Sequence, residues 1–108
     1  MPKLNEKKCQ ACSGETKPLN AQQAKTLLAD IPAWQLNATH TEISRSFTFK
    51  NYYHTIAFVN AIAWIANSEN HHPDLAVGYN TCTVKFSTHS IKGLSENDFI
   101  CAAKIDYL

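Results

Sequence analysis

Two adjacent histidines stand in the stretch Asn70-His71-His72-Pro73-Asp74, between a helix-like run and a strand-like run. A third, His89, follows the strand, so that three of the five histidines of the chain fall within one short window. Imidazole has an unperturbed pKa of about 6.5, which lets it both give and take protons near neutrality. Histidines around one pocket could therefore perform general acid–base catalysis, in which each well-placed group contributes about 10²- to 10⁴-fold.

Two other interpretations of these histidines remain open at this point. Three histidines are also the ligand set of a catalytic zinc ion, although their spacing here matches no tight helical metal motif such as H-x-x-x-H. The histidines could instead be polar loop residues that bond to the backbone. That interpretation is natural for one histidine and weaker for three in one window.

The four cysteines are Cys9, Cys12, Cys82 and Cys101. Cys9 and Cys12 form a lone C-x-x-C pair, whereas a structural zinc site usually needs a second pair of ligands. Nothing in the sequence indicates an oxidising compartment, so we expect free thiols. The favoured interpretation is a polar N-terminal arm, residues 1–18, that carries two thiols and no metal.

The apolar pattern predicts the first half of a domain that spans residues 19–108. Asn20, with Gln23 three residues later, is a capping box that opens a helix over about residues 20–30. Apolar and polar residues then alternate with a period of two in residues 34–36 and 43–49, which predicts an antiparallel hairpin.

The main core helix is predicted over residues 52–68, with Asn51 as its N-cap. Its inner face is predicted to be Tyr52, Ile56, Val59, Ala63 and Ala66, flanked by Phe58 and Ile62. Trp64 and Ile65 extend the apolar surface beyond a single stripe. This excess indicates either a deeply buried helix or a contact between subunits.

Pro73 ends that helix and forces His72 towards an extended conformation, so both adjacent imidazoles lie at a junction. Residues 75–79 and 81–88 alternate again, as one bent strand or as two strands with a tight turn. Ser95 is the predicted N-cap of a last helix with acidic residues in its first turn. The order predicts an α+β fold, a two-layer sandwich of a mostly antiparallel sheet with helices packed on one face.

Composition limits the classes of function. The chain has 108 residues, 44% of them hydrophobic, and a net charge of +1. The lysines form no basic stripe, so we expect no binding to nucleic acid. The N-terminus lacks the apolar core of a signal peptide, and no apolar span reaches the roughly 18 to 20 residues of a membrane crossing. We expect a cytoplasmic protein without a membrane partner.

One family shares the spacing of the site. His71-His72-Pro73, five residues, Tyr79, nine residues, His89, eight residues and Asp98 resemble the signature of the pterin-4a-carbinolamine dehydratases. Residues 78–80, 86–90 and 93–99 resemble that family as well. The resemblance covers roughly residues 18–106, and the arm with Cys9 and Cys12 resembles bacterial members.

The resemblance implies an enzyme that removes water from 4a-hydroxytetrahydrobiopterin (pterin-4a-carbinolamine). The product, quinonoid dihydropterin, returns the cofactor spent by an aromatic amino acid hydroxylase. The family further implies a site without metal or cofactor, a functional link to phenylalanine hydroxylase, and a homodimer or homotetramer. The implied site has catalytic His71, His72 and His89 and substrate-binding Asp98, Tyr79, Pro73, Ser87 and Thr88.

The chemistry of the reaction suggests a role for each group. Hydroxide is a poor leaving group, so a protonated imidazole should deliver a proton to it while a base takes one from a pterin ring nitrogen. We expect His71 and His89 to carry this work and His72 to orient the pterin. Asp98 is expected to hold His89 in its tautomer or to anchor the ring amide.

The chain departs from the family at Asn67. Many members carry a charged residue there, four positions before the first histidine, whereas this chain has Glu69 two positions later. A carboxylate at position 67 is therefore not available to assist His71.

The alternative function is a non-catalytic dimerisation or regulatory module for a protein partner. A vertebrate member of the family resembled doubles as a dimerisation partner of a homeodomain transcription factor. The excess apolar surface of the helix over residues 52–68 fits this role as well as it fits a homo-oligomer, because both need the same kind of patch.

Overall fold

The structure, a computed structural model, describes residues 3–11 and 15–108 of the chain. Its elements are three α-helices and four strands, with a short 3₁₀ helix before the first helix and another before the last. In chain order they are 3₁₀ Leu4–Glu6, α1 Ala21–Leu28, β1 Gln35–Leu36, β2 Ile43–Thr48, α2 Tyr52–Glu69, β3 Asp74–Val77, β4 Thr81–Phe86, 3₁₀ His89–Ile91 and α3 Glu96–Asp106.

The four strands form one antiparallel sheet in the order β1-β2-β4-β3. The register places Ile43 opposite Phe86 and Leu75 opposite Val84, so that one face of the sheet is apolar. The helices cover this face, and the other carries mainly Ser, Thr and Lys side chains. The predicted two-layer α+β sandwich is confirmed.

Local signals in the sequence mark the elements correctly. Asn20 and Gln23 form the predicted capping box of α1, and the side chain of Asn51 accepts a hydrogen bond from His54 N at the start of α2. The two apolar patterns that follow Pro73 are two strands, β3 and β4, joined by a tight turn at residues 78–80.

The helix at the centre of the core is α3, and the prediction that gave this place to α2 is wrong. Residues 97–103 of α3 are all buried, because the helix is covered by other elements on every side. The buried positions of α2 are only Thr55, Ile62 and Ala66.

The inner face of α2 is also rotated from the predicted one. Tyr52 and Ala63, both predicted to face the core, are exposed. Thr55 lies inward instead, where its hydroxyl is shared between Asn51 O at 2.9 Å and Tyr79 O, in the β3–β4 turn, at 3.0 Å. The rotation leaves Tyr53 and Trp64 on the outside, 79% and 72% exposed.

The N-terminal arm packs against α3 along residues 3–11. Leu4 is buried in the core, and Lys104 Nζ donates to Asn5 O at 2.9 Å. Further along, Cys9 N donates to Glu69 Oε1 at 2.8 Å. Cys12, part of the predicted arm, lies outside the described residues, and the division at residue 18 stays a prediction.

The C-terminal end of α2 sets the direction in which the chain continues to His71 and His72. Asn70 has a left-handed backbone, with φ 51° and ψ 42°. Its N–H donates to Asn67 O at 3.4 Å, and the N–H of His71 donates to Ala66 O at 3.1 Å. These two bonds are those of a Schellman motif, in which asparagine is the usual substitute for glycine. The direction of His71 is therefore fixed by the helix terminus.

No helix among the described residues is long and apolar enough to span a membrane.

Substitution of Asn70 tests this terminus. Asn70→Gly should leave the free energy of unfolding within about 0.5 kcal/mol of the wild type, because glycine adopts the left-handed conformation freely. Asn70→Val should lower it by about 1–2 kcal/mol, since a Cβ-branched residue is strained there. Urea unfolding followed by circular dichroism measures both, and equal stabilities of the two variants would contradict the assignment.

Candidate active site

A cavity of about 360 Å³ lies where the end of α2, the end of β4 and the N-terminal arm meet. Its size is within the range of small-molecule sites, roughly 300–1,000 Å³. It brings together five of the predicted site residues: His71, His72, Ser87, Thr88 and His89. The other lining residues are Gln10, Ala11, Glu69, Asn70, Ser90 and Asn97.

His71 and Asp98 form a short polar contact at the site. His71 Nε2 lies 2.6 Å from Asp98 Oδ1, and the two side chains are 11% and 0% exposed. A carboxylate can only accept, so Nε2 carries the proton and donates. This tautomer leaves Nδ1 as the ring nitrogen that can take a proton, and the negative charge beside the ring would stabilise the resulting imidazolium.

The second oxygen of Asp98 is held by two further donors. Oδ2 accepts from Thr88 Oγ1 at 2.8 Å and from Ser95 N at 3.0 Å. Ser95 is the N-cap of α3, and its hydroxyl lies 2.7 Å from the Thr88 hydroxyl. The carboxylate also lies in the first turn of α3, where the helix dipole favours negative charge. Asp98 therefore joins the ends of α2 and β4 to the start of α3.

The His71 ring is fixed by packing as well as by its hydrogen bond. It stacks on Phe86 with an interplanar angle of 7° and a centroid distance of 5.9 Å. Phe86 is buried and ends β4, so the ring rests on the edge of the core. A ring held on one face and at one nitrogen keeps a single orientation, which a precise proton transfer requires.

His72 and His89 have different surroundings from His71. Both are exposed, so that their rings are open to solvent and to a ligand. His89 opens the 3₁₀ helix after β4, in a loop closed by paired backbone bonds between Thr88 and Gly93. The site thus combines one largely covered imidazole, paired with a buried carboxylate, with two accessible ones.

Three predicted site residues do not line the cavity. Asp98 lies beneath it and bonds to His71, which corrects the expectation that it holds His89. Pro73 lies just before β3, and Tyr79 lies in the β3–β4 turn with its side chain largely exposed. Their predicted contacts with substrate remain predictions.

Sequence reasoning missed the part of the wall that the arm supplies. Gln10 N donates to Asn97 Oδ1 at 2.9 Å, and Asn97 Nδ2 donates to Gln10 O at 2.6 Å. This two-bond clamp places Gln10 and Ala11 on the cavity. From the sequence, Glu69 and Asn97 could have been assigned to the site only because they lie close to His71 and Asp98. No motif in the arm indicated that it lines the cavity.

The described residues, 3–11 and 15–108, contain no group of three or more His, Cys, Asp or Glu side chains arranged to hold a metal ion. His71, His72 and His89 line one cavity but do not form such a group.

Known proteins resemble this chain along nearly all its length. The family model described as pterin 4 alpha carbinolamine dehydratase matches residues 17–108. A provisionally named pterin-4-alpha-carbinolamine dehydratase of Nitrosomonas eutropha is 55% identical over 106 residues, 97% of this chain and 92% of that protein. One from Legionella pneumophila is 57% identical over 106 residues, 97% of this chain and 94% of its own length.

Solved structures share the fold. A transcriptional coactivator/pterin dehydratase from Brucella melitensis aligns with a TM-score of 0.79 at 30% identity, over 84% of this chain and 97% of that one. A pterin dehydratase-like protein described as a RuBisCO assembly factor in the alpha-carboxysome aligns with a TM-score of 0.61 over 69% of this chain and 87% of that one. At 22% identity the second likeness shows the fold alone.

Replacement of Asp98 tests the carboxylate junction. Asp98→Asn should lower the free energy of unfolding by about 2–3 kcal/mol, because one amide oxygen cannot accept all three of the hydrogen bonds that the carboxylate accepts. The exposed Asp74 is the matched control, and Asp74→Asn should change stability by no more than about 0.5 kcal/mol.

Urea unfolding measures the stability of both variants, and ¹⁵N NMR of the imidazoles reports the tautomer of His71. We expect the Nε2–H form in the wild type and a mixture of tautomers in Asp98→Asn. Equal losses of stability in the two variants, or an unchanged tautomer, would contradict the junction.

Proposed function

Because the chain belongs to the pterin 4 alpha carbinolamine dehydratase family, we propose that it removes water from 4a-hydroxytetrahydrobiopterin to give quinonoid dihydropterin. The observation that carries the proposal is the meeting of His71, His72 and His89 at one cavity, with His71 hydrogen-bonded to a buried carboxylate. The cavity volume of about 360 Å³ suits a bicyclic ring with a short side chain.

The proposed reaction needs two proton transfers. The carbon–oxygen bond at position 4a breaks, its hydroxyl takes up a proton and leaves as water, and a pterin ring nitrogen loses a proton. A general acid and a general base on different sides of the ring can make both transfers without a metal. Imidazoles are suited to both tasks at neutral pH.

We assign the base to His71. In the tautomer that Asp98 fixes, Nδ1 is the nitrogen that can accept a proton. The imidazolium that then forms is stabilised by the negative charge of Asp98. His89, exposed beside the same cavity, is assigned as the acid that protonates the leaving hydroxyl. His72 is assigned to orient the pterin by hydrogen bonding.

The wider biological setting remains a prediction from the sequence. A cytoplasmic location, a homodimer or homotetramer, and a link to phenylalanine hydroxylase all belong to the proposal. The alternative, a dimerisation or regulatory module, is less well supported by the site, because such a module needs neither an imidazole bonded to a buried carboxylate nor a cavity lined by histidines.

Histidine substitutions test the roles. His71→Gln keeps an N–H donor for Asp98 but cannot take a proton at neutral pH, so kcat should fall by about 10²- to 10⁴-fold. His89→Ala should lower kcat by a similar factor, and His72→Ala should act mainly on KM. Turnover is followed by ultraviolet absorbance of enzymatically generated carbinolamine.

His54→Ala is the matched control for these variants, since His54 is an exposed histidine in the first turn of α2 and does not line the cavity. Its turnover should stay within about twofold of the wild type. Wild-type turnover in all three site variants, with native circular dichroism, would refute the acid–base roles.

Chelation tests the proposed absence of a metal. Dialysis against EDTA should leave turnover unchanged, and elemental analysis should find much less than one metal ion per chain, because histidine acid–base chemistry requires no Lewis acid. Loss of turnover that added zinc restores would replace the proposal with a metal mechanism.

A further inference from the structure

Two thiols that are far apart in the sequence touch in the structure. Cys9 Sγ on the N-terminal arm lies 3.5 Å from Cys101 Sγ in α3, across 92 residues of chain. We propose that Cys9 and Cys101 are a redox modification site, at which a reversible disulfide fastens the N-terminal arm to the central helix. This inference does not depend on the proposed dehydratase activity.

The surroundings hold the two sulfur atoms together. Cys9 N donates to Glu69 Oε1, and the next residue, Gln10, is clamped to Asn97 by two hydrogen bonds. Cys9 Sγ also lies 3.7 Å from Asn97 O, one turn of helix before Cys101. Closing the sulfur atoms from contact to a bond of about 2.05 Å therefore needs only a small movement of the arm.

Exposure gives the two thiols different roles. Cys101 is fully buried, whereas Cys9 is half-buried and can be reached from solvent. The hydrogen bond with Cys9, together with burial, raises the pKa of the Cys101 thiol. A thiolate is the reactive form, so Cys9 should be the thiol that attacks an external oxidant first.

The oxidant in this proposal is a low-molecular-weight disulfide such as oxidised glutathione. Cys9 attacks one of its sulfur atoms, releases one thiol, and becomes a mixed disulfide. The hydrogen bond to the Cys9 thiol, the leading cause of the raised Cys101 pKa, is then lost. Cys101 attacks Cys9 Sγ and releases the second thiol. Two electrons pass from the protein to the small disulfide, and the two protons pass to the released thiols.

The disulfide would have a consequence at the cavity. Gln10 and Ala11 line it immediately after Cys9, so a bond from Cys9 to α3 would fix one wall in place. Without the disulfide, this wall is held by the hydrogen bonds of Cys9 and Gln10 to Glu69 and Asn97.

Two other cysteines could compete. Cys82 is buried in β4, where it pairs with Phe47 and Val77 across the sheet. Cys12 lies three residues from Cys9 in the C-x-x-C pair and outside the described residues. A Cys9–Cys12 bond is the competing outcome that an experiment must separate from the proposed one.

The test uses the full chain incubated with oxidised glutathione under native conditions. Free thiols are then blocked by alkylation, and unreduced tryptic peptides are analysed by mass spectrometry. The expected product joins the peptide that begins at Cys9 to the peptide that contains Cys101, in both the wild type and Cys12→Ser. It should be absent from Cys9→Ser and Cys101→Ala, and dithiothreitol should reverse it.

Thermal unfolding gives a second readout. Oxidation of Cys12→Ser should raise Tm by at least about 5 °C, because a bond across so long a segment constrains the unfolded chain, whereas Cys9→Ser should show no rise. Cys9 is half-buried, so Cys9→Ser keeps the test valid even if Cys101→Ala folds poorly. A Cys9–Cys12 bond in the wild type, a fully reduced Cys12→Ser, or a Tm rise in Cys9→Ser would overturn the proposal.

Discussion

Both the fold and the candidate site depend on the hydrogen bonds that the buried carboxylate of Asp98 accepts. Its two oxygens accept from His71, Thr88 and Ser95, which lie after α2, after β4 and before α3. An unpaired carboxylate in this position would be strongly destabilising, because a buried charge loses its hydration. Three donors and the dipole of α3 offset that cost. The three chain segments are therefore held together by the same atoms that orient His71.

This arrangement also answers the question raised by Asn67. Position 67 offers no carboxylate, yet His71 has one, supplied by α3 from 27 residues away. Glu69, the nearest acidic residue in the sequence, accepts instead from Cys9 N and so holds the arm. Asp98 and Glu69 therefore have separate tasks, one at the imidazole and one at the wall of the cavity.

The central position of α3 explains why the arm matters. A helix that is buried on all sides needs a cover on the face that the sheet and α2 leave open, and residues 3–11 provide part of it. The same segment continues into the cavity wall through the clamp between Gln10 and Asn97. Packing of the core and closure of the cavity are thus coupled through one short segment.

The sequence by itself determined the local features: the capping residues Asn20, Asn51 and Ser95, the alternation of the strands, and the window that holds the three histidines. These features depend on interactions over a few residues, which a pattern can reveal. The rotation of α2, the choice of His71 as the partner of Asp98, and the packing of the arm were decided only by the tertiary structure. Each depends on contacts between segments far apart in the chain, because Thr55 meets Tyr79 and Cys9 meets Cys101 only once the layers have packed.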